Sequence, residues 1–434
     1  MVLTQQLIQT YTDILKEELL PAMGCTEPIA IAYAASILCD VLGDEPSSLR
    51  VGLSGNIIKN VKSVIVPATG GMHGIGAALS AGIVSASPQK RLEVLCGMTS
   101  QHHARMAAYL QAVTPDIYEL DTPHPFEIRL EGACDGHTAM VHMVHRHTHV
   151  AEVIYDGVNL THVYAEREGE NLTGEVADRS LLNVEAIVAF AEQVDLSELA
   201  PLLHRQIDMN MAIAEEGLTG KWGASIGALL CPTTKDGELD PVSLRNKARA
   251  YAAAGSDARM SGCEMPVCIL SGSGNQGMTA SIPVVVYGRA LGVDEDTLLR
   301  ALVVSDLITI HQKTGIGCLS AYCGAISAGC GCGTGICYLY GGRYYEIAHT
   351  LVNAIAILSG TICDGAKPSC AAKIAMAVEA GIMGFEMMQA GKQFYGGDGI
   401  ITKGVENTIR NVGRLARDGM SATDREIIRI MLGE

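Results

Sequence analysis

Cysteine residues are concentrated between residues 310 and 373, where the side-chain types and their spacing suggest metal chemistry. Cys363 and Cys370 are separated by six residues that include an Asp-Gly turn and Pro368. The turn is expected to end one helix and the proline to start the next, which places Cys370 in the first turn of the new helix. Free backbone N–H groups there stabilise a thiolate or an anionic cluster. The spacing therefore predicts that both sulfurs meet at one point.

A third thiolate would have to come from the cysteine-rich segment that precedes this turn. Cys323 lies at a predicted loop-to-helix transition, whereas Cys330, Cys332 and Cys337 are predicted to lie inside the small-residue helix that follows. The spacing matches neither a ferredoxin cluster nor a paired CxxC zinc site. From the residues alone, a metal centre and a packed pair of glycine-rich helices are alternatives of about equal weight.

Cys25 is the candidate for acid–base chemistry. It directly precedes a predicted helix in which Thr26 is the expected cap and Pro28 lies in the first turn. The helix N-terminus is expected to lower the pKa of the Cys25 thiol, which would make it a base or a metal ligand, although Glu27 opposes this effect. A buried thiol without a function is the alternative interpretation.

Two segments carry groups that could bind an anionic substrate. The loop at residues 271–277 presents backbone amides and Asn275 to a carboxylate, and Gln276 is predicted to contact the substrate beside it. His311 and Lys313 adjoin the cysteine-rich segment and are also predicted to contact substrate. The loop lacks the G-x-G-x-x-G spacing of a dinucleotide site, and an ordinary glycine turn is the alternative interpretation.

The elements that must position these residues indicate an α+β protein. We predict a large all-helical catalytic domain from residues 1–45 and 180–434, and an inserted, largely antiparallel α+β domain over residues 46–179. Helices are predicted over residues 3–20, from 26 to about 42, and at 76–85 and 101–112. Strands are predicted at residues 61–66, 91–95, 117–120, 127–130, 140–149, 150–155 and 162–165. His145, His147 and His149 would then share one face of an edge strand, and no metal is predicted there.

Composition limits the class of protein. The 434-residue chain carries a net charge of −16, which argues against binding to nucleic acid. The uncharged stretch at residues 324–342 has about the length of a membrane span, but its seven glycines and three cysteines favour a buried core helix. No targeting segment is predicted, and the fourteen cysteines are expected to be mostly reduced thiols. A cytoplasmic enzyme that binds no membrane is therefore expected.

Five segments of the chain resemble the L-cysteine desulfidase family, a group related to the α chain of bacterial iron–sulfur L-serine dehydratase. They are GCTEPIA, SGSGNQGMTASIPV, HQKTGIGCLSAYCGAISAGC, ICDGAKPSCAAKIA and FYGGDGIITKGVENTI. The resemblance to the desulfidase group extends over nearly the whole chain, and the resemblance to the dehydratases is confined to the helical part.

The resemblance implies a [4Fe–4S] cluster with one open iron, held by Cys323, Cys363 and Cys370. The spacer before Cys370 is shorter than in the dehydratases, so this ligand departs from their pattern. Cys25 matches the N-terminal cysteine of the family, which implies a proton acceptor, or a ligand in place of Cys370.

The reaction implied by the resemblance converts L-cysteine and water to pyruvate, ammonia and hydrogen sulfide. An open-site iron would act as a Lewis acid on the β-substituent while a base removes the α-proton. L-serine dehydration, a pyridoxal phosphate lyase that uses Lys313 or Lys367, and a non-catalytic iron–sulfur sensor are the alternatives. A small amino acid is the expected partner, and a homodimer is compatible with the sequence.

Overall fold

The computed structural model of the chain describes residues 1–164, 177–232, 240–317 and 319–432. It has the predicted fold class, α+β with a large helical part and a mixed sheet. The N-terminal segment forms α1 (Gln5–Glu18), the short strand β1 (Pro21–Met23) and α2 (Thr26–Leu42). Both helices confirm the prediction from apolar spacing. Helix α1 buries one face, whereas α2 is buried along almost its entire length.

A six-stranded sheet with accompanying helices follows. The strands are β2 (Ser48–Leu53), β3 (Asp116–Glu119), β4 (Glu127–Cys134), β5 (His137–Val144), β6 (Val150–Tyr155) and β7 (Val158–Asn159). Their order is β3-β2-β4-β5-β6-β7, in which β2 and β3 pair parallel and the other neighbours pair antiparallel. The helices are α3 (Gly55–Val61), α4 (Gly74–Ser85), α5 (Ser100–Ala112) and α6 (Thr161–Tyr164), with a 3-10 helix at Pro88–Glu93.

One row of apolar side chains crosses the middle of the sheet. Residues of this row pair across four strands and are fully buried: Val51, Leu130, Val141 and Val153. Because alternate residues of a strand face opposite sides, the row belongs to one face of the sheet. Helix α2 packs against β4 and β5 and shares this hydrophobic core. The sheet therefore holds the helix whose N-terminus carries Cys25.

Three of the predicted strands are wrong. Residues 61–66 contain the end of α3 and an isolated bridge between Ile65 and His73. Residues 91–95 begin inside the 3-10 helix, and residues 162–164 lie in α6, while residue 165 lies outside the described residues. β-Branched residues make up most of 61–66 but only one residue in each of the other two segments, and tertiary contacts override this local preference.

The strand predicted over residues 140–149 ends at Val144. His145 has a φ of 70°, in the left-handed region, and the chain turns there. The three alternating histidines therefore do not share a strand face. His147 instead packs its ring against Phe126, with 4.8 Å between the ring centroids.

Helices dominate the remainder of the chain. They are α7 (Val184–Gln193), α8 (Ala200–Gly217), α9 (Ile226–Leu230), α10 (Pro241–Met260), α11 (Gly274–Leu291), α12 (Glu295–Ile316), α13 (Gly324–Leu339), α14 (Tyr344–Ile357), α15 (Cys370–Gln389), α16 (Val405–Arg414) and α17 (Ser421–Leu432). One short strand, β8 (Pro266–Cys268), pairs antiparallel with β1. A 3-10 helix at Arg179–Leu181 and a π-helical turn at Leu415–Gly419 complete the described elements.

Glycine residues let α13 lie in close contact with a helix on each side. Gly329 and Gly333 face α15, where an added Cβ would lie 2.3 and 2.4 Å from backbone oxygens. Gly331 and Gly335 face α12, where the corresponding distances are 2.6 and 2.9 Å. The prediction of a buried core helix at residues 324–342 is confirmed by this packing. Within the described ranges, no helix has the length and hydropathy needed to cross a membrane.

Buried apolar residues form two large cores. One includes α1 and most of the helices from α7 to α16, and the other includes the sheet with α2, α3 and α4. The domain boundaries at residues 45 and 180 stay a prediction. The packing nevertheless shows that α2 lies with the sheet although it precedes residue 45.

Candidate active site

Two of the predicted ligand cysteines are held side by side by backbone pairing. Cys323 is the N-cap of α13, as the predicted loop-to-helix transition indicated. Its N–H donates to the carbonyl of Thr361 at 2.9 Å, and the N–H of Cys363 donates to the carbonyl of Ala321 at 2.6 Å. Tyr322 and Ile362 form the antiparallel bridge between these bonds. The two cysteines are consequently neighbours, and each affects the ionisation of the other.

The third predicted ligand, Cys370, is the first residue of α15. Its N–H donates to the carbonyl of Lys367 at 2.9 Å, and its thiol lies 3.7 Å from the carbonyl oxygen of Gly365. Gly365 has a φ of 93°, and an added Cβ would lie 2.4 Å from the carbonyl oxygen of Lys59. Only glycine fits this turn, which is pressed against α3 and so brings Cys370 back towards Cys363.

All three cysteines and Cys25 line one cavity of about 100 Å³. Its wall also contains charged and amide side chains from six elements or loops: Glu27, Asn60, Arg259, Asn275, Gln276, Lys313 and Lys373. A volume of this size holds several water molecules or one small organic molecule. Among the described residues, no group of three or more His, Cys, Asp or Glu is arranged around a single metal ion. The thiols of a cubic cluster bond to different irons and need not converge on one point.

The three thiols differ in their ease of ionisation. The neighbouring Cys323 thiol and the positive charges of Lys59 and Lys313 overcome burial and lower the pKa of Cys363 to about 6. The Cys363 thiol, together with burial, raises the pKa of Cys323 well above its ordinary value. Burial also raises the pKa of Cys370. Cys363 is therefore the thiol of the three that ionises most readily, and binding a metal would displace the protons that remain on the others.

Cys25 and Glu27 form a hydrogen-bonded pair at the N-terminus of α2. The N-cap is Cys25, so the expected cap at Thr26 is wrong by one residue. The Cys25 thiol donates to Glu27 Oε2 at 3.0 Å, Thr26 donates to the same oxygen at 3.1 Å, and Asn60 donates to Oε1 at 3.0 Å. Both carboxylate oxygens of this buried acid are thus occupied.

The pKa predicted for Cys25 is wrong in direction. Burial and the charge of Glu27 raise the pKa of the Cys25 thiol well above its ordinary value, against the helix N-terminus. Burial opposes ionisation of Glu27, but neighbouring His147, Cys25 and Arg259 lower its pKa overall. Burial lowers the pKa of His147 itself, so the bond from Cys25 and the charge of Arg259 are what stabilise the carboxylate at neutral pH. The pair holds its proton on sulfur.

The predicted substrate contacts are only partly brought together. Asn275 and Gln276 lie in the first turn of α11, and both line the cavity with Lys313. Gln276 is buried, and its Oε1 has no hydrogen-bond partner among the described residues. His311 does not line the cavity and instead contacts Glu406 through Nε2 at 2.7 Å.

Sequence reasoning missed Arg259, which lies in the last turn of α10 and lines the cavity. It is only 3% exposed, and its Nη1 donates to Asn275 Oδ1 at 3.1 Å. In the sequence, Arg259 lies within a run of mostly small residues, AAAGSDARM, which could have indicated that it is buried. Helix α10 buries almost all of this run. Asn60 and Lys373 were also missed, because they carry no local motif.

Comparison with known proteins gives one family match and several close relatives. The family model described as "Serine dehydratase alpha chain" matches residues 89–429. A UPF0597 protein of Desulfitobacterium hafniense (strain Y51) is 49% identical over 435 residues, which covers 98% of this chain and 97% of that protein. A UPF0597 protein of Treponema denticola is 43% identical, covering 98% of each chain. A UPF0597 protein of Shewanella oneidensis is 35% identical, again covering 98% of each chain.

Proposed function

The chain belongs to the serine dehydratase α chain family, and from this premise we propose that it is a [4Fe–4S]-dependent lyase that acts on a small amino acid, with L-cysteine as substrate. The observation that carries the proposal is the cavity of about 100 Å³ that Cys25, Cys323, Cys363 and Cys370 line together. The products would be pyruvate, ammonia and hydrogen sulfide. L-Serine is the second candidate substrate, because the family description names serine dehydratase.

The residues around the three proposed ligands suit a thiolate-bound cluster. Cys323 and Cys370 lie at the N-termini of α13 and α15, where unsatisfied N–H groups favour negative charge. Lys59 and Lys313 lower the pKa of Cys363 by their positive charge, and Lys373 lines the same cavity. When bound, a cluster with an open iron supplies a Lewis acid that makes the β-substituent a better leaving group.

Proton transfer falls to the pair formed by Cys25 and Glu27. We assign the Cys25 sulfur to accept the α-proton of the substrate while its own proton passes to Glu27 along the 3.0 Å hydrogen bond. The electron pair of the Cα–H bond forms the Cα–Cβ double bond, and the β-substituent leaves with its bonding electrons. The aminoacrylate product becomes an imine, which water hydrolyses to pyruvate and ammonia. The elimination requires no net oxidation or reduction.

Anaerobic reconstitution with iron and sulfide, followed by product assays, tests the proposed reaction. We expect L-cysteine to give pyruvate and ammonia in equal amounts, together with one hydrogen sulfide for each pyruvate. Comparable pyruvate formation from L-serine at a higher rate would make serine the substrate. Protein with a full cluster that forms pyruvate from neither amino acid would contradict the lyase assignment.

A cysteine variant tests the proposed ligand set. Cys363→Ala is expected to abolish the brown chromophore, because it removes the thiol that ionises most readily of the three. Cys96→Ala is the matched control, since Cys96 is an exposed cysteine outside the cavity. Iron and acid-labile sulfide are measured per chain after identical anaerobic reconstitution. Equal contents in the two variants would eliminate Cys363 as a ligand.

A further inference from the structure

We propose that Arg259 binds the α-carboxylate of the substrate, an inference that rests on the proposed function for its choice of ligand. Arg259 is 3% exposed and lines the cavity, yet within the described part of the chain no carboxylate oxygen lies within 4.0 Å of its guanidinium. Buried charged groups are normally paired, because an uncompensated charge loses its hydration. The partner that the protein does not supply is an anionic group in the cavity.

Glu27 does not take this place in the structure. It is the acid whose pKa responds to the charge of Arg259, but the two side chains do not form an ion pair. Its Oε2 already accepts from Cys25 and Thr26, and its Oε1 accepts from Asn60. The carboxylate of a ligand could thus bind the Arg259 guanidinium without displacing an acidic side chain of the protein.

Packing fixes two of the three guanidinium nitrogens and leaves one for a ligand. Nε lies against α11, where a Cβ added to Gly274 would be 2.5 Å away, and it has no hydrogen-bond partner. Nη1 donates to Asn275 Oδ1 at 3.1 Å. Nη2 makes no hydrogen bond to a described residue. Asn275 thereby acts as a positioning residue for Arg259 in addition to lining the cavity.

The start of α11 supplies a second set of donors beside Arg259. Its N-cap, Ser273, makes no side-chain capping bond, and Ser273 lines the cavity together with Asn275 and Gln276. The first N–H groups of this 18-residue helix have no intrahelical acceptor and carry the positive end of its dipole. A carboxylate between Arg259 and this helix would satisfy both.

Gln276 identifies the ligand class more closely. Its Oε1 is buried without a hydrogen-bond partner among the described residues, and its side chain forms part of the cavity wall. Arg259 and the first N–H groups of α11 are suited to the carboxylate of an α-amino acid. The amide oxygen of Gln276 is suited to its ammonium group.

Binding of unreactive ligands to the reconstituted protein tests the carboxylate site without turnover. L-Alanine has both α-substituents but no leaving group, and L-alaninamide replaces the carboxylate with a neutral amide. By isothermal titration calorimetry, we expect L-alanine to bind about 10- to 100-fold more tightly than L-alaninamide, the range typical of a charge-assisted hydrogen bond. Equal affinity for the two ligands, or no binding of L-alanine, would overturn the proposal.

Arginine variants connect this preference to one residue. Arg259→Gln is expected to weaken L-alanine binding by about 10- to 100-fold and to remove the preference over L-alaninamide, whereas Arg259→Lys should retain part of it. Arg289→Gln, at the exposed C-terminal end of α11, is the control and should bind as the parent does. A preference that persists in Arg259→Gln would assign the carboxylate to another group. The ligand comparison in the parent protein decides the question if Arg259→Gln fails to fold.

These experiments can refute the lyase assignment and the carboxylate site independently of each other. Binding of L-alanine that depends on Arg259, without pyruvate from cysteine or serine, would refute the lyase assignment and leave the amino-acid site intact. Pyruvate formation with an unchanged KM in Arg259→Gln would refute the carboxylate site and leave the lyase assignment intact.

Discussion

The hydrogen bond between Cys25 and Glu27 determines which of them carries negative charge before a substrate arrives. Burial raises the pKa of the thiol, while the bond from Cys25 and the charge of Arg259 help to lower the pKa of the carboxylate. A neutral thiol is a poor base by itself, so the Cys25 sulfur can accept a proton only when its own proton moves to the adjacent carboxylate. The proposed role of Cys25 therefore depends on Glu27.

The variant Cys25→Ser should distinguish a role of Cys25 as a base from a role as a metal ligand. Cys25→Ser keeps a small hydroxyl next to Glu27, but a hydroxyl releases its proton far less readily than a thiol. We expect normal iron content and a kcat lower by about 100-fold or more. Cys39→Ser, in the last turn of the same buried helix, is the matched control. Loss of the cluster in Cys25→Ser, with retention in the control, would make Cys25 a ligand instead.

Local sequence could predict which cysteines matter, but not the environment that sets their chemistry. The cysteines at 25, 323 and 370 lie at helix starts that turn and capping residues indicate, and Cys363 precedes the turn that leads into α15. The structure places all four at one cavity. The raised pKa of Cys25 arises from tertiary burial, which includes the contact of Thr26 Oγ1 with the carbonyl of Gly272 at 3.0 Å. Arg259 comes from a helix more than 200 residues away, and no local pattern connects it to Cys25.

At the scale of elements, the parallel contact between α13 and α15 sets the position of two proposed ligands. Gly329 faces Ala377 and Gly333 faces Gly381, so the residue numbers increase in the same direction along both helices. Both N-termini, with Cys323 and Cys370, consequently lie at the same end of the pair. The backbones approach so closely that no side chain fits between them at these glycines.

A methyl group at this contact should disturb both stability and the ligand geometry. In Gly333→Ala the added Cβ would lie 2.4 Å from the carbonyl oxygen of Gly381, and relief requires the helices to separate. We expect a loss of about 1–3 kcal/mol in the free energy of unfolding and less iron retained per chain. Gly360→Ala, which meets no atom within 4 Å, is the control and should stay within about 0.5 kcal/mol of the parent. Denaturation curves that coincide for the two variants would contradict the close contact.

Helices could be predicted better than strands in this chain. The spacing of apolar residues predicts α1, α2, α4 and α5, because each satisfies its backbone internally and its buried face repeats along the sequence. Strand pairing depends on partners elsewhere, and β2 was not predicted although it lies inside the sheet between β3 and β4. Residues 162–164 show the opposite error, since a segment predicted as a strand forms part of the short helix α6.

For the whole molecule, the cavity lies where the two hydrophobic cores meet. Cys25 belongs to the core of the sheet, and Cys370 packs against that core from the start of α15. Cys323 packs against the large helical core. A centre that uses residues from both sides requires the two cores to keep a fixed relative position. Contacts that connect them far from the cavity should therefore affect the site.

The C-terminal helix α17 provides one such connection. Lys59 of α3 is 2% exposed and forms an ion pair with Asp424 of α17, and Lys62 donates to the carbonyl of Met431 nearby. Lys59 also lowers the pKa of Cys363 by its charge. The chain from α16 to α17 thus reaches from the helical core to α3, directly behind one proposed ligand.

Removing the acid of this pair should destabilise the protein more than removing an exposed acid. Asp424→Asn leaves the ammonium of Lys59 buried without a counter-charge, at an expected cost of about 3 kcal/mol in the free energy of unfolding. Asp418→Asn, whose carboxylate forms an exposed pair with Arg417, is the control and should change it by less than about 1 kcal/mol. The double variant Lys59→Met with Asp424→Leu removes both charges and should recover most of the loss, because a buried ion pair can be replaced by apolar groups at little cost. Chemical denaturation of the parent and these three variants measures the differences in the free energy of unfolding. A double variant as unstable as Asp424→Asn would show that geometry, and not the uncompensated charge of Lys59, connects α17 to the site.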